Sequence, residues 1–577
     1  MDLFTSSTGL QITLFLILLP ILFAIILMLI RVSGMITNLK RKKELKKIKS
    51  KIQSFGPKDI EQLEQRKREL EFRLQGNELT PIREVRDERG LINESEEVLN
   101  VRYLQTKRKE KLILKIPNEE RTMILWYLTC AIGWLILGTT IGMYLGIKFV
   151  APDADHVSWL SFGRLRPVHT NMVFWGWSSI AMIGLSYFVV PRVGNTRIYK
   201  LSLGYWTLIL LNSAVLLGTI FLMAGINNSG GEYREYVWPI MLLFALGVLI
   251  TLYNHFRTVA NRKTVEIYLS NWYIVSAMMF VVTILLVAYL PFWQNGLGET
   301  IVQGYYMHQG VGMWFMFFNL GLMYYFLPQE LNSPIYSYSL GILAFWTQIL
   351  FYTLIGTHHF IFSAIPWWLQ TVAIVGSVGM VIPVLAGSIN FFFTIKGSWH
   401  RIRYSYVLPF YLVSIIFYFS GSLQGTAEAF RETNLMWHFT DFTVAHSHLT
   451  MYGIITFMIW SFSYTLVPRL TTYEPPSLTV GLHFWMALIG LLLYTVSLMI
   501  GSTIRGLMWI DKVPFLDSVV HMAPYWLWRA IGGTMMWISH LLFAYNFYRM
   551  IKPKKEVVLP ESPQDILDII QSNKSAL

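Results

Sequence analysis

The stretch TVAHSHLTMYG, residues 443–453, places His446 and His448 at the head of a long apolar run. A helix turns about 100° per residue, so side chains two positions apart point to nearly opposite sides. Two histidines that bind one metal ion from the same helix face are three or four positions apart, not two. The pair therefore predicts a helix that carries one histidine on each of two opposite faces.

Composition places this helix in a membrane. The 577 residues are 54% hydrophobic and 15% aromatic, which is too apolar for a soluble domain of this size. Apolar runs long enough to cross a bilayer occur at 10–31, 122–148, 168–192, 201–225, 236–256, 267–291, 304–328, 338–357, 367–395, 404–427, 443–468, 478–502 and 524–549. We expect an all-α integral membrane protein.

Charge gives the expected orientation and domains. The strongly basic segment 38–51 follows the first run and is expected in the cytoplasm, so residues 1–37 form a membrane anchor whose N-terminus lies outside. Residues 38–118 are expected to be a charged cytoplasmic linker with an amphipathic segment, residues 119–550 the main transmembrane domain, and residues 551–577 a cytoplasmic tail. The formal net charge of +13 is explained by inside loops and does not indicate nucleic-acid binding.

This topology puts six histidines in one layer, near the outer third of the membrane. They are His169, His308, His358, His359, His446 and His448. Neutral imidazole is the commonest metal ligand, and ionisable groups inside a membrane usually mark function. We expect all six to bind metals or cofactors.

The residues themselves suggest two hemes and one copper ion. A helix with histidines on opposite faces can lie between two hemes and ligate one on each side. His169 is a natural second ligand for one of them, and spacing alone does not say which heme belongs to which histidine. Three imidazoles are left that suit one copper ion: His308, His358 and His359. Because Cys130 is the only cysteine, a copper–thiolate pair and a C-x-x-C-H heme attachment are excluded.

Several motifs resemble the catalytic subunit of heme–copper oxidases, most of all the C family, the cbb-type cytochrome c oxidases. The resemblance covers roughly 120–550, in motifs that include FGRLRPVHTN (162–171), YYMHQGVGMWF (305–315), GTHHF (356–360) and APYWLWRAIGG (523–533). It implies a twelve-helix catalytic bundle plus one extra N-terminal transmembrane helix. It also implies a respiratory terminal oxidase in a bacterial-type cytoplasmic membrane, which takes electrons from membrane-anchored cytochrome c subunits and reduces dioxygen to water with proton uptake.

The resemblance assigns roles to the charged and metal-binding side chains. His169 and His448 would be the axial ligands of a low-spin heme b, and His446 the proximal ligand of a high-spin heme b. Copper facing that heme would be held by His308, His358 and His359. Guanidinium groups suit the heme propionates, and the candidates are Arg164, Arg166 and Arg529.

Tyr352 precedes His358 by six positions, where C-family oxidases carry the tyrosine that is cross-linked to the first copper histidine. Cleaving dioxygen in one step takes four electrons and a proton, and a nearby phenol can supply the missing electron and proton together. Protons are expected to enter at SPIYSYS (333–339). The path would begin with Tyr336, Ser337, Tyr338 and Ser339.

Nitric oxide reduction is the main alternative. The related nitric oxide reductases carry a glutamate four residues after the first metal histidine, but this chain has Gly312 there, so a hard oxygen ligand for a non-heme iron is not obviously supplied. Two features depart from the usual cbb-type pattern. Gln424 stands where both groups commonly carry a glutamate, and an amide cannot relay a proton as a carboxyl does; HSHLTMYG resembles the nitric oxide reductase helix. A transporter whose histidines relay protons is a remote alternative, because the sequence shows no matching halves.

Overall fold

The computed structural model describes residues 18–34, 116–228, 230–290, 295–471 and 473–552, with a few single positions before 66. All regular elements in these ranges are helical. Eleven of the helices are long and apolar enough to cross a membrane. The expected linker and C-terminal tail lie almost wholly outside the described residues, so their assignments stay predictions.

Twelve long helices, α1–α12, follow one another between residues 118 and 551. The first six are α1 (Asn118–Val150), α2 (Phe162–Val193), α3 (Leu201–Ala224), α4 (Trp238–Ala260), α5 (Leu269–Tyr289) and α6 (Gly296–Leu331). The second six are α7 (Tyr338–Ile355), α8 (Trp367–Thr394), α9 (Leu408–Glu428), α10 (Phe442–Thr471), α11 (Ser477–Ile510) and α12 (Phe515–Ile551). A shorter apolar helix, Leu18–Gly34, lies in the expected anchor. The all-α membrane fold is confirmed.

Three helices form the centre of the bundle. In α2, α6 and α10, 94%, 89% and 89% of the most apolar stretch is buried, whereas in α3 only 44% is. A helix that is apolar on every side packs inside a bundle, while its neighbours expose one apolar face to lipid. The three central helices carry His169, His308 and the His-x-His pair. Four of the six candidate histidines therefore belong to buried helices.

Each central helix widens into a π-helical segment close after its histidine. The segments are Met172–Ser178, Gly310–Met316 and Leu449–Thr456. Such segments are rare and concentrate at functional sites, where the wider turn changes the direction of the side chains. They interrupt the apolar faces of the helices, so the hydrophobic pattern of the sequence does not predict them.

Candidate functional site

A cavity of about 770 Å³ opens between the central helices, at the end of the bundle where α2, α6 and α10 begin. All six histidines singled out by the sequence line it, as do Tyr352, Arg166 and Arg529. Arg164 and the 336–339 segment are not part of this lining. The structure thus brings together histidines that are up to 279 positions apart in the chain, from His169 to His448.

Three histidines converge on one side of the cavity. Nε2 of His358 lies 2.5 Å from Nε2 of His308 and 3.0 Å from Nε2 of His359. The nitrogen atoms of all three lie within 4.8 Å of one another. Nδ1 of His358 is 2.8 Å from Oγ of Ser377, an interaction that orients the ring and leaves Nε2 for a metal ion. Three converging neutral imidazoles suit a transition metal such as copper.

The second imidazole site is a facing pair. The rings of His169 and His448 are 6.3 Å apart between centroids, and their planes differ by 15°. Their Nδ1 atoms donate to the carbonyls of Gly138 and Val444 at 2.7 and 2.8 Å, so each Nε2 is free to bind. The two rings could therefore each offer Nε2 to a metal ion or cofactor between them. A Cβ added at Gly142 would overlap the ring of His169, so a glycine makes room for it.

His446 faces a different set of neighbours from His448. Its Nδ1 lies 3.1 Å from Oε1 of Gln424 and 3.3 Å from Oε1 of the buried Glu428, both on α9. A Cβ added at Gly425 would lie 3.2 Å from the same imidazole ring. Opposite faces of one helix therefore serve two different sites, as the His-x-His spacing predicts.

Sequence reasoning missed Glu428. It noted only that Gln424 replaces the usual glutamate of this helix, and Glu428 stands one turn later on the same face. The carboxylate is therefore displaced by a turn and still reaches the imidazole of His446. An inspection of position i+4 after Gln424 could have found it.

The three predicted arginines differ in their surroundings. Arg529 is buried, and its Nε and Nη1 make no hydrogen bond to any described residue, although Oδ1 of Asp441 lies 3.6 Å from Nη1. A buried guanidinium with unused donors fits a cofactor that carries carboxylates. Arg166 is paired with Glu232 at 2.5 Å, and Arg164 donates to a backbone carbonyl at the end of α3 at 3.1 Å. Of these three arginines, Arg529 is the best suited to a propionate.

Asp441, just before α10, is a second acidic residue that sequence reasoning missed. Its Oδ2 lies 3.6 Å from Nη1 of Arg505 and accepts a hydrogen bond from Nε1 of Trp526 at 3.0 Å. It therefore holds two buried arginines, Arg505 and Arg529, beside the cavity. Their excess positive charge strengthens the fit to an anionic group.

Tyr352 lies against the three-histidine cluster. Its ring centroid is 5.2 Å from that of His308, and Nε2 of Gln309 donates to its backbone oxygen at 3.0 Å. A Cβ added at Gly312 would overlap the Tyr352 ring. The phenol therefore occupies the space that any side chain at position 312 would need. The presence of a tyrosine at position 352 and the absence of a glutamate at position 312 therefore have the same steric explanation.

The 336–339 segment lies at the opposite end of α7 from Tyr352. The Oγ of Ser337 accepts a hydrogen bond from the Leu340 N–H at 3.2 Å and so caps the helix. Tyr336 and Tyr338 are 54% and 39% exposed, so this end meets the surface. The fourteen steps from Tyr338 to Tyr352 rise by about 20 Å, at 1.5 Å per residue.

A buried carboxyl group lies in the loop between α3 and α4. Oε2 of Glu235 accepts a hydrogen bond from Nδ2 of Asn171 at 2.9 Å. Burial raises the pKa of Glu235 to about 7. This group is therefore expected to change charge near neutral pH.

The fold and the cavity define a class of protein. The chain is an integral membrane protein whose core helices present two separate imidazole sites, together with unpaired buried guanidinium donors. The nitrogen donors suit transition metals, and the guanidinium groups suit a cofactor that carries carboxylates.

Comparisons with known proteins agree with this class. A family model described as Cytochrome C and Quinol oxidase polypeptide I matches residues 122–535. The Cbb3-type cytochrome c oxidase subunit CcoN1 of Stutzerimonas stutzeri is 32% identical over 448 residues, which are 73% of this chain and 93% of that protein. A solved heme–copper terminal oxidase dimer has the same fold, with a TM-score of 0.64 at 15% identity over 79% of this chain and 90% of that one.

The chain belongs to the cytochrome c and quinol oxidase polypeptide I family, and it is a catalytic subunit of the heme–copper terminal oxidase type. The resemblance to cbb-type oxidases is confirmed. A nitric oxide reductase from Stutzerimonas stutzeri is a more distant relative, 21% identical over 444 residues, which are 70% of this chain and 90% of that protein.

Proposed function

We propose that this subunit reduces dioxygen to water with electrons from a cytochrome c-type donor. The observation that carries the proposal is Tyr352, whose phenol packs against His308 in the space that a side chain at position 312 would need. Reduction of dioxygen needs an extra electron and proton at the site of bond cleavage, and a phenol can release both. Nitric oxide reduction has no such need.

The donor set supports two b-type hemes and one copper ion, which when bound would store electrons and bind dioxygen. His169 and His448 would hold the low-spin heme, His446 the high-spin heme, and Arg529 a propionate. Copper would be held by His308, His358 and His359. Arg166 and Arg164 are weaker propionate candidates, because both already have partners.

The chain's own side chains would orient the site and supply protons. Gln424 accepts the Nδ1–H of His446, with the carboxyl group of Glu428 3.3 Å away, and so fixes which ring nitrogen faces the cavity. Tyr352 would give its hydroxyl proton and one electron during bond cleavage. Replacement protons would enter at the surface end of α7, through Tyr336, Ser337, Tyr338 and Ser339.

Electrons would arrive from partner subunits, because Cys130 as the only cysteine leaves no c-type heme attachment in this chain. We propose membrane-anchored cytochrome c subunits of the same complex as these partners. The complex would lie in a bacterial-type cytoplasmic membrane, with the N-terminus outside and residues 38–118 and 551–577 in the cytoplasm, as the basic segments indicate.

The test is to measure dioxygen and nitric oxide consumption by the purified complex with one reduced artificial donor. We expect faster turnover of dioxygen. Gly312→Ala should displace Tyr352 and lower dioxygen turnover strongly, while the heme spectra stay unchanged. Faster nitric oxide turnover in the wild type, or full dioxygen turnover in Gly312→Ala, would contradict the proposal.

A further inference from the structure

A line of oxidisable aromatic side chains leads along α10 away from the cavity. Tyr452 lies one turn after His448 and lines the cavity. Trp460 and Tyr464 follow further along the same helix, and both are 0% exposed. Tyr406, half-buried in the loop before α9, continues the line to the surface. These four residues, Tyr452, Trp460, Tyr464 and Tyr406, are called the aromatic file below.

Neighbouring rings of the aromatic file are in contact, either directly or through His483. The centroids of Tyr452 and Trp460 are 5.3 Å apart, and those of Tyr464 and Tyr406 are 6.1 Å apart. His483 joins the two halves, at 4.4 Å from Trp460 and 5.8 Å from Tyr464. These separations are those of aromatic rings in direct contact. The aromatic file is therefore continuous from the cavity to the far end of the bundle.

Each phenol of the aromatic file has a base beside it. The Tyr452 hydroxyl is 3.2 Å from Nε2 of His540, and the Tyr464 hydroxyl is 2.9 Å from Nδ1 of His483. The hydroxyl of Tyr406 donates to the exposed carboxylate of Glu474. A phenol that loses an electron must also lose its proton, and imidazole or carboxylate can accept it.

Trp460 differs from the phenols in a way that fits its place between them. Its indole N–H has no hydrogen-bond partner among the described residues. An indole can give up one electron and keep this proton. Electron transfer through Trp460 therefore needs no proton acceptor.

Three other buried tyrosines have no such base as a hydrogen-bond partner among the described residues. Tyr127 and Tyr306 donate to backbone carbonyls, and Tyr411 exchanges a hydrogen bond with Oγ1 of Thr465 at 2.9 Å. Neither a carbonyl nor a hydroxyl takes up a proton readily at neutral pH. Burial alone thus does not explain why two tyrosines of α10 each meet an imidazole.

We propose that the aromatic file conducts single oxidising equivalents from the cavity to the surface beside Glu474 when the electron supply falls short during turnover. The source of the oxidising equivalent rests on the proposed dioxygen chemistry. Removing it along a fixed route would protect the metal ligands and the hemes from oxidation.

The steps balance in electrons and protons. Tyr452 gives one electron to the oxidant in the cavity and its proton to His540. Trp460 then reduces the Tyr452 radical, which takes its proton back, and Tyr464 reduces Trp460 while its proton moves to His483. Tyr406 reduces Tyr464, which recovers its proton from His483, and releases its own proton to Glu474. A soluble thiol finally returns one electron and one proton to Tyr406 and becomes a thiyl radical, and Glu474 releases its proton to the solvent.

The experiment uses the purified complex with ring-deuterated tyrosine, oxidised by hydrogen peroxide without an electron donor, frozen rapidly and examined by electron paramagnetic resonance. We expect a radical signal that deuteration narrows. Tyr464→Phe should trap the radical at Tyr452 and Trp460, so that reduced glutathione no longer quenches the signal and heme is lost faster. Tyr411→Phe, an equally buried change off the aromatic file, should behave as the wild type.

Tyr406→Phe provides a test at the half-buried end, where the core is not disturbed. It should keep the tyrosyl signal and slow the decay that added reduced glutathione causes. The inference is overturned if Tyr464→Phe matches Tyr411→Phe in both quenching of the signal and heme loss, or if the wild type forms no tyrosyl radical. Dioxygen turnover and copper content, measured on the same samples, show separately whether the proposed function holds.

Discussion

The facing pair His169/His448 and the site around His446 and His358 are held by different kinds of partner. In the facing pair, both Nδ1 atoms donate to backbone carbonyls. Around His446 and His358 the neighbouring groups are side chains: Gln424 and Glu428 at His446, and Ser377 at His358. His446, His358 and these neighbours are called the tunable site below.

A backbone carbonyl stays in place whatever residue carries it, whereas a side-chain partner can change with one substitution. The facing pair is therefore fixed by the fold, which suits a site that only passes electrons. The properties of the tunable site can be changed one residue at a time, which suits the place where chemistry occurs. Substitutions should affect the two sites separately.

The largest effect is expected when one of the two α10 histidines is removed. His446→Ala should eliminate the high-spin heme signal and all turnover, and keep the low-spin signal. His448→Ala should eliminate the low-spin heme signal and keep the high-spin signal. Optical and electron paramagnetic resonance spectra of both variants check this. If His446→Ala retains both signals, the division of the helix into two faces is wrong.

Tyr352→Phe should abolish most dioxygen turnover and leave both hemes and the copper in place. The loss should be at least about 100-fold, the scale of a missing proton donor. Oxygen-electrode rates, with Tyr411→Phe as the control phenol, measure it. Turnover close to the wild-type rate would remove Tyr352 from the mechanism.

Glu428→Gln should change the tunable site alone. Replacing a carboxylate by an amide beside Nδ1 weakens the electron donation of His446, so the reduction potential of the high-spin heme should rise. Activity should fall by about 10-fold, within the range for such supporting residues. Redox titration followed optically checks this, and the low-spin potential is the internal control. Equal shifts of both potentials would contradict the separation.

The smallest effect on catalysis is expected at Glu235, outside both sites. Burial raises its pKa from 4.5 to about 7, so its contribution to stability is fully present below pH 4.5 and is lost as the pH rises through about 7. The loss is on the order of 3 kcal/mol, at about 1.4 kcal/mol per pKa unit. Thermal unfolding of Glu235→Gln between pH 4.5 and 8 should be flatter than that of the wild type; parallel curves would show that the carboxyl does not titrate there.

The long apolar runs predicted the membrane fold, and the histidine positions in those runs predicted that six imidazoles lie in one layer, because both follow from local properties of the sequence. The opposed faces of His446 and His448 follow directly from the helix period. The three apolar helices that became the core were also visible as runs, but their burial depends on packing that the sequence does not display.

Partners distant in sequence could not be predicted. The pairing of Arg166 with Glu232, which uses up a predicted propionate donor, joins a helix to a loop 66 residues away. The overlap between position 312 and Tyr352 requires the packing of α6 against α7. The π-helical segments also escaped prediction, because they follow no apolar period of their own.

The most direct test of the dioxygen-reducing assignment is elemental analysis of the purified complex, together with pyridine hemochrome spectra of the separated catalytic chain. We predict two b-type hemes and one copper ion per chain, the set that the histidine donors fit. Two hemes with an additional non-heme iron and no copper would contradict the assignment and indicate a nitric oxide reductase.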